Sequence, residues 1–493
     1  MTVMAREAVA RARDCDIWNS KRARLSNIPD AVAILFLLDL VCLSLTYVAV
    51  LFPIHVRLDI WNNTQLAVLT GLQTTASLVL LYAAGSYRRD ALVRFSTAMI
   101  PLSIALGCSA ALLIPVMHVV MGAIYPSQLI YRSISRCATL ALLGSGITLA
   151  AGMGVRLAFF AMSRRNWFQR KILVIGTGEK ARYIFDMLSD EKYRGFCDLS
   201  FVAENVLGGQ GVEPQVPEVR IVKAGDRSVF DIAAELRVDS IVVAAENDAL
   251  LLDPLLTCKT VGLPVLEFNS FIERETGRVD LRWVDLSWLV YSHGFEIRVM
   301  DIFLKRLTDL AVALVMLWAA LPVLAMAALA IRLEGRGPIL FRQTRVTRGG
   351  RTFELYKLRT MRVDAERNGA QWAAERDPRI TKVGNVLRRF RIDEIPQLLN
   401  VLKGDMSLVG PRPERPVFVA QLSEQIIMYN LRHNVKAGIT GWAQLNYPYG
   451  ASVEDARRKL EYDLFYMKHF NVLRDLAILL QTCRIVLWPQ GVR

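Results

Sequence analysis

Leu387-Arg-Arg-Phe-Arg-Ile-Asp-Glu-Ile-Pro-Gln-Leu-Leu-Asn-Val-Leu-Lys-Gly-Asp-Met-Ser-Leu-Val-Gly-Pro-Arg-Pro-Glu414 is the stretch from which the rest of the chain can be read. Arg388, Arg389 and Arg391 lead into an adjacent carboxylate pair, Asp393 and Glu394, and Arg412 follows between Pro411 and Pro413. Carboxylates surrounded by guanidinium groups suit a site that handles phosphate, a metal ion and a nucleophile together. An isolated Asp-Glu dipeptide is more often a solvated salt-bridging pair, so the surrounding sequence decides between the two.

Working outward, the chain of 493 residues has room for three or four domains at ~100–200 residues each. It is 53% hydrophobic, which a soluble enzyme of this length rarely reaches, so membrane segments are expected. The formal net charge of +14 points to nucleic acid, an anionic membrane face or phosphorylated substrates. No Arg-rich helix or aromatic-interleaved basic strand supports nucleic acid, and no such partner is expected. The 7 cysteines and 5 histidines are scattered, which is neither a disulfide framework nor a metal-ligand spacing. The basic N-terminus lacks the apolar core of a cleaved signal peptide.

Residues 1–165 read as a four-helix transmembrane bundle. The apolar runs are Ala31–Phe52, Leu66–Gly85, Thr97–Met121 (interrupted by Pro101 and Pro115) and Ala138–Met162. Each approaches the ~20 residues that cross a bilayer. Asp39, costly in lipid, is expected to pack against a neighbouring helix. Lys21, Arg22, Arg24, Arg88, Arg89, Arg94, Arg164, Arg165, Arg170 and Lys171 flank the runs so that both ends of the bundle belong in the cytoplasm. The segment after the first run has only Arg57, and Arg132 with Arg136 is a mild exception. Too few spans and no evident polar midplane positions argue against a transporter.

Residues 171–270 predict an α/β Rossmann-like domain. Lys171-Ile-Leu-Val-Ile-Gly-Thr-Gly-Glu-Lys-Ala181 reads as strand, glycine turn and helix, a weak cofactor-binding fingerprint on Gly176 and Gly178. Leu199–Ala203, Ser240–Ala244 and Pro264–Phe268 read as further strands, and Val229–Leu236 and Ala249–Val261 as helices. Glu204 falls where a ribose-binding acid belongs. No hydride-transfer constellation follows, so a structural or regulatory role is favoured. Residues 271–298 form a connector with Trp283 and Trp288 available for docking.

Residues 299–493 form the last domain, expected to be rich in α-helix. An apolar stretch from Leu310 to Ile331 is long enough to span, but Pro322 sits inside it and basic residues flank both ends. A helix that enters, bends at Pro322 and leaves on the same side satisfies both facts, whereas a full span would carry Asp393 outside the cell. Gly337–Arg345 and Phe353–Met361 predict a hairpin that delivers Lys357 and Arg359 toward the carboxylates. Lys305 and Asp309 are expected to anchor the helix near lipid headgroups.

The combination of Lys305-Arg-x-x-Asp309, the helix interrupted at Pro322, Tyr356-Lys-Leu-Arg-Thr-Met361, Ile392-Asp-Glu-Ile-Pro-Gln-Leu398, Gly404-Asp-Met-Ser-Leu-Val-Gly-Pro-Arg-Pro413 and Gly438-Ile-Thr-Gly-Trp-Ala-Gln444 resembles the bacterial sugar transferases, the monotopic polyprenyl-phosphate phosphoglycosyl transferases. The upstream bundle and Rossmann-like domain resemble the large branch that initiates exopolysaccharide or O-antigen subunits. The resemblance implies transfer of a hexose 1-phosphate from a UDP-sugar, UDP-glucose or UDP-galactose foremost, to undecaprenyl phosphate, with release of UMP. It implies Asp393 as nucleophile through an aspartyl-phosphosugar, and Glu394 as the ligand of Mg2+. Arg412, Arg388, Lys357 and Arg359 are the expected phosphate contacts. A homodimer on the cytoplasmic face of the bacterial inner membrane, feeding downstream glycosyltransferases, completes the expectation.

Three positions depart from common family forms: Thr347 where glycine is frequent, Ala437 where proline is frequent, and Asn446-Tyr-Pro-Tyr449 in place of Asn-Gly-Arg. The last leaves the sugar open. The tail, Leu460–Trp488, suits interfacial helices, with core packing as the plainer alternative. Two other functions compete: an NAD(P)-dependent nucleotide-sugar modifying enzyme using the glycine turn, and a non-catalytic membrane scaffold of polysaccharide assembly.

Overall fold

The computed structural model describes residues 28–487, except 59–62, 125–129, 191–195, most of 204–227, 246–251, 285, 293, 297, 364, 366–376, 449 and 451. Lys21, Arg22, Arg24, Glu204 and Trp488 lie outside the described residues, as do the side chains of Arg57, Pro115, Arg132 and Arg136. The chain divides into two compact units, Met1–Phe271 and Ile272–Arg493.

In the first unit, α1 (Ile28–Leu58), α2 (Asn63–Ala84), short α3 (Arg89–Val93), α4 (Phe95–Ile124) and α5 (Ile130–Arg164) pack together. The long helices are apolar on most faces, as a helix in hydrocarbon must be. Within them Ala31–Val50, Ala67–Ala84 and Gly144–Arg164 are long and apolar enough to cross a membrane; in α4 the apolar stretch with described side chains is Phe95–Ala111. Asp39 does face its neighbours. Arg156 of α5 donates Nη1 to both its carboxylate oxygens (2.8 and 3.0 Å), and Tyr87 donates its hydroxyl at 2.9 Å. Arg156, inside the fourth apolar run, is the partner that spacing alone did not reveal. A second buried polar set joins Tyr47, Gln73, Ser77 and Ser109, with Ser77 Oγ to Ser109 Oγ at 2.6 Å and Gln73 Nε2 to Ser109 Oγ at 2.7 Å. Polar interior positions therefore exist, contrary to the sequence reading. They bond to one another across α1, α2 and α4, which is how polar side chains join helices in lipid.

The same unit carries β1 (Arg170–Ile175), α6 (Glu179–Ser189), β2 (Cys197–Val202), α7 (Val229–Leu236), β3 (Ser240–Val243), α8 (Leu252–Thr260) and β4 (Val265–Glu267). The strands form one parallel sheet in the order β2-β1-β3-β4, with Ile172 opposite Leu199 and Ser240. Continuous burial of Ile172–Ile175 and Ser240–Val243 fits central parallel strands. Gly176 has φ +120°, and a Cβ there would lie 2.8 Å from Ala244 O. Close approach of the chain beyond β3 thus accounts for this glycine, and Gly178 is the N-cap of α6.

The second unit begins within α9 (Phe268–Thr276). It continues through α10 (Leu286–Tyr291), α11 (Val299–Glu334), β5 (Leu340–Val346), β6 (Thr352–Leu358), α12 (Lys382–Arg389), α13 (Gln397–Lys403), β7 (Ser407–Val409), α14 (Pro416–Gln425), β8 (Gly438–Thr440), α15 (Trp442–Asn446), α16 (Val453–Lys468) and α17 (Val472–Leu487). β5 and β6 are the expected antiparallel hairpin, and β7 and β8 pair in parallel. Helix α11 runs for 36 residues with Pro322 inside it, and it too is long and apolar enough to cross a membrane. Ala313, Ala327 and Ile331 are buried on one face, while Leu314, Val315, Trp318, Leu321, Met326, Leu329 and Leu333 are exposed.

Lys305 and Asp309 turn inward, correcting the headgroup expectation. Lys305 Nζ meets the Asp475 carboxylate and Val409 O, and Asp309 Oδ1 accepts from Leu408 N at 3.1 Å. The tail divides: Leu460, Leu464, Tyr466 and Met467 of α16 are buried, whereas Leu473 and Leu476 of α17 are exposed. Thr347 replaces glycine with purpose. Its hydroxyl donates to Asp405 O (2.8 Å) and accepts from Ala437 N (3.3 Å), tying the hairpin turn to the strands beneath.

Candidate active site

Helix α12 is capped by Thr381, whose side chain accepts from Gly384 N, and it ends at Phe390. Arg391 then adopts a left-handed conformation (φ +56°), uncommon for a residue with a Cβ, and the chain enters a 3-10 turn at Ile392–Glu394 before Pro396 starts α13. This reversal puts Asp393 and Glu394 on a short turn rather than on a regular helix. Asp393 is 6% exposed, and its Oδ1 is buried without a hydrogen-bond partner. Glu394 Oε1 accepts from Lys357 Nζ at 3.0 Å and from Arg412 Nη2 at 3.1 Å, with Arg391 Nη1 at 3.7 Å.

Lys357 reaches the pair because β6 is fixed from below. Asn400, fully buried in α13, accepts from Tyr356 N at 3.0 Å and donates to Glu354 O at 2.7 Å. Sequence reading missed Asn400, since an asparagine in an apolar helix gives no sign of which strand it will bond. Arg412 is placed by a close backbone crossing. Cβ atoms at Gly410 or Gly438 would come within 2.3 Å or 2.1 Å of Lys436 O or Gly410 N, so both positions require glycine. Arg388 donates Nε to Thr360 Oγ1 at 2.9 Å and contributes its charge to the Asp393 environment.

Arg359 is not brought to the carboxylates. Its guanidinium donates to Arg336 O, Ile331 O and Gly335 O at 2.9–3.2 Å, closing the C-terminal end of α11. The orphan carbonyls of a helix end, with their partial negative charge, capture a nearby arginine. Alternation along the strand sends Lys357 one way, and the chain leaves the ladder before Arg359.

The two carboxylates are pushed apart electrostatically. Burial raises the Asp393 carboxyl against the pull of Lys357, and the Glu394 charge raises it further. Burial would raise Glu394 too, but Lys357, Arg412 and Arg391 outweigh it and hold that carboxyl well below the usual carboxylate range. Burial lowers the Lys357 ammonium, partly offset by Glu394. The site thus pairs a firmly ionised glutamate with a desolvated aspartate whose charge is poorly compensated. Among the described residues no group of three or more His, Cys, Asp or Glu side chains could hold a metal alone. Two adjacent carboxylates, one with an unpartnered buried oxygen, nevertheless fit Mg2+, which binds through one or two carboxylates together with substrate phosphates.

The Bacterial sugar transferase family model matches residues 300–489, the segment that carries this whole arrangement. The UDP-N-acetylgalactosamine-undecaprenyl-phosphate N-acetylgalactosaminephosphotransferase of Aeromonas hydrophila is 39% identical over 264 residues, 52% of this chain and 61% of that protein. The UDP-glucose:undecaprenyl-phosphate glucose-1-phosphate transferase of Escherichia coli K12 is 43% identical over 181 residues, 36% of this chain and 39% of that protein. The protein of the same name from Caulobacter vibrioides is 43% identical over 180 residues, 36% of this chain and 67% of that protein. The chain therefore spans less than two thirds of the first two relatives and two thirds of the third. Matched by the family model across the segment that builds the carboxylate site, and 43% identical to a relative of which it covers 67%, the chain belongs to the bacterial sugar transferase family.

Proposed function

We propose that the protein transfers a sugar 1-phosphate from a UDP-sugar to undecaprenyl phosphate and releases UMP. The observation that carries this reading is the charge arrangement: Lys357, Arg412 and Arg391 gather on Glu394, and Arg388 lends its charge to Asp393 beside it. A diphosphate is a ligand that such a cluster of cations can hold, and phosphoryl transfer depends chiefly on neutralising and positioning it.

In this mechanism the Asp393 carboxylate attacks the phosphorus bearing the sugar. The bond from that phosphorus to the UMP oxygen breaks, UMP leaves with its electron pair, and an aspartyl-phosphosugar remains. A phosphate oxygen of the lipid then attacks the same phosphorus, restoring the carboxylate and forming the lipid diphosphate sugar. Desolvation supports the nucleophile role, because a carboxylate raised by burial is the more reactive one. Arg412 and Lys357 orient the diphosphate, and Glu394 holds both cations in place. Bound Mg2+ would be held by Glu394 and the donor phosphates, where it would withdraw charge from the transferred group.

Helix α11 supports a re-entrant placement on the cytoplasmic face of the inner membrane. Straight, 36 residues would extend about 54 Å. Yet Arg306 near one end donates to Val401 O and Leu402 O, and Glu334 at the other accepts from Val383 N, all within one unit. A full span would drag that charged body into hydrocarbon. A helix dipping in with Pro322 at its bend leaves the body outside and the exposed apolar face in lipid. The parallel-sheet domain is read as a Rossmann-like structural module, since packing accounts for its Gly176.

The test supplies membranes with labelled UDP-glucose, UDP-galactose, UDP-N-acetylglucosamine and UDP-N-acetylgalactosamine in turn. The wild type is expected to release UMP and label lipid with one of them, and Asp393→Asn with none. Equal lipid label in both proteins would end the reading.

A further inference from the structure

The side chain of Arg412 can meet a diphosphate only if its turn is held still, and prolines at 411 and 413 remove two of the turn's own backbone donors. Its carbonyls must therefore be fixed from outside, and all three are. Pro411 O accepts from Gly438 N at 2.9 Å, Arg412 O from Arg432 Nη2 at 3.1 Å, and Pro413 O from Arg345 Nη1 at 3.1 Å. Both arginines are themselves held. Arg432, 6% exposed, lies 2.9 Å from Asp463 and donates Nη1 to Tyr429 OH at 2.7 Å. Arg345 donates Nε to Gln343 Oε1 at 3.0 Å.

We propose that Arg432 and Arg345 are positioning residues that fix the Pro411-Arg412-Pro413 turn by its carbonyl oxygens, so that the Arg412 guanidinium is aimed at the donor diphosphate. The inference rests on the diphosphate donor proposed above. A buried ion pair such as Arg432 with Asp463 is a weak source of stability, because desolvation offsets its attraction. A charge-assisted bond to a carbonyl is by contrast strong and directional. The pair therefore has more value as a fixed mount for Arg412 than as a contribution to folding.

The experiment is a double-mutant cycle on the full chain in detergent. It reads the Kd for UDP by calorimetry and, with undecaprenyl phosphate present, kcat/KM for UMP release from whichever of the four UDP-sugars the wild type uses. Arg432→Lys, Arg345→Lys and Tyr429→Phe are each made alone and with Arg412→Ala. Each lysine variant is expected to weaken UDP binding and lower kcat/KM by about 10–100-fold, the order that a ~1 Å misplacement costs. On the Arg412→Ala background each should add less than about twofold, because the effect acts through Arg412. Losses that multiply equally in both backgrounds would overturn the proposal, as would a folded Arg432→Lys protein with wild-type affinity. If Arg432→Lys does not fold, Arg345→Lys and Tyr429→Phe, which keep the Arg432–Asp463 pair, carry the cycle. A wild type that binds UDP but releases no UMP from any of the four UDP-sugars would sink the transfer reaction while the affinity cycle still judges the clamp; a wild type that binds no UDP would sink both.

Discussion

Replacing Glu394 by Gln and Asp393 by Asn should change stability in opposite directions, although the two residues are adjacent and the changes alike. Glu394 Oε1 faces Lys357 at 3.0 Å. Two unit charges at that distance attract by about 5 kcal/mol at an effective dielectric of ~20, before desolvation is subtracted. Arg412 and Arg391 are about a third exposed, so solvent discounts their share to about 0–1 kcal/mol each. Breaking a buried pair costs about 3–5 kcal/mol, and glutamine still accepts one hydrogen bond, so a loss near 3 kcal/mol is expected. At about 2–4 °C per kcal/mol for a domain of this size, the transition of the second unit should fall by about 6–12 °C.

The linkage has the same sign. A carboxyl lowered in the fold adds stability above its unfolded pKa, and the fold loses that stability as pH falls through the folded value. Asp393 is raised instead, so its contribution is present at low pH and is lost as pH rises through the folded value. At neutral pH its charge is a cost, and Asp393→Asn should unfold at or above the wild-type temperature. The assay is a thermal scan of the full chain in detergent at neutral pH. Glu394→Gln unfolding with the wild type, or Asp393→Asn falling as far as Glu394→Gln, would refute the electrostatic account of the site.

Activity should have an acid limb above the ordinary aspartate range, because in the proposed mechanism only ionised Asp393 attacks and burial raises its carboxyl; a kcat/KM profile that stays flat down to that range would contradict this. Arg359→Ala should destabilise the second unit by about 1–2 kcal/mol through the freed carbonyls of α11 while leaving the UDP Kd within about twofold, as a thermal scan and calorimetry would show. In the membrane bundle, Asp39→Asn should cost about 3–5 kcal/mol by stranding buried Arg156, and the double change Asp39→Leu with Arg156→Met should recover most of it in a denaturation series.

The glycine turn, the strand and helix alternation around it, the hairpin and the carboxylate–arginine constellation were legible because each is written in local pattern. Partners distant in sequence were not. Nothing in the fourth apolar run marks Arg156 as the counter-ion of Asp39, 117 positions earlier. Nothing near Arg359 says that a helix end will lie within its reach. Lys305 and Asp309, four apart on a helix, suit headgroup anchors, yet both bond β7 and Lys305 also meets Asp475. The tail illustrates the same limit: aromatic and basic residues suit a membrane interface, but Glu461 and Asp463 within it are buried against Arg278 and Arg432. Whether an amphipathic stretch faces lipid or a polar core is decided by what packs on it.

The central claim is that the Asp393 carboxylate briefly carries the sugar phosphate. It is tested most directly by mixing the wild-type protein with UDP-sugar in the absence of lipid acceptor, quenching in acid, and mapping the added mass by peptide mass spectrometry. One sugar phosphate is expected on the peptide containing Asp393, formed together with UMP and lost on adding undecaprenyl phosphate. UMP release with no mass on that peptide, or the same adduct in Asp393→Asn, would contradict it.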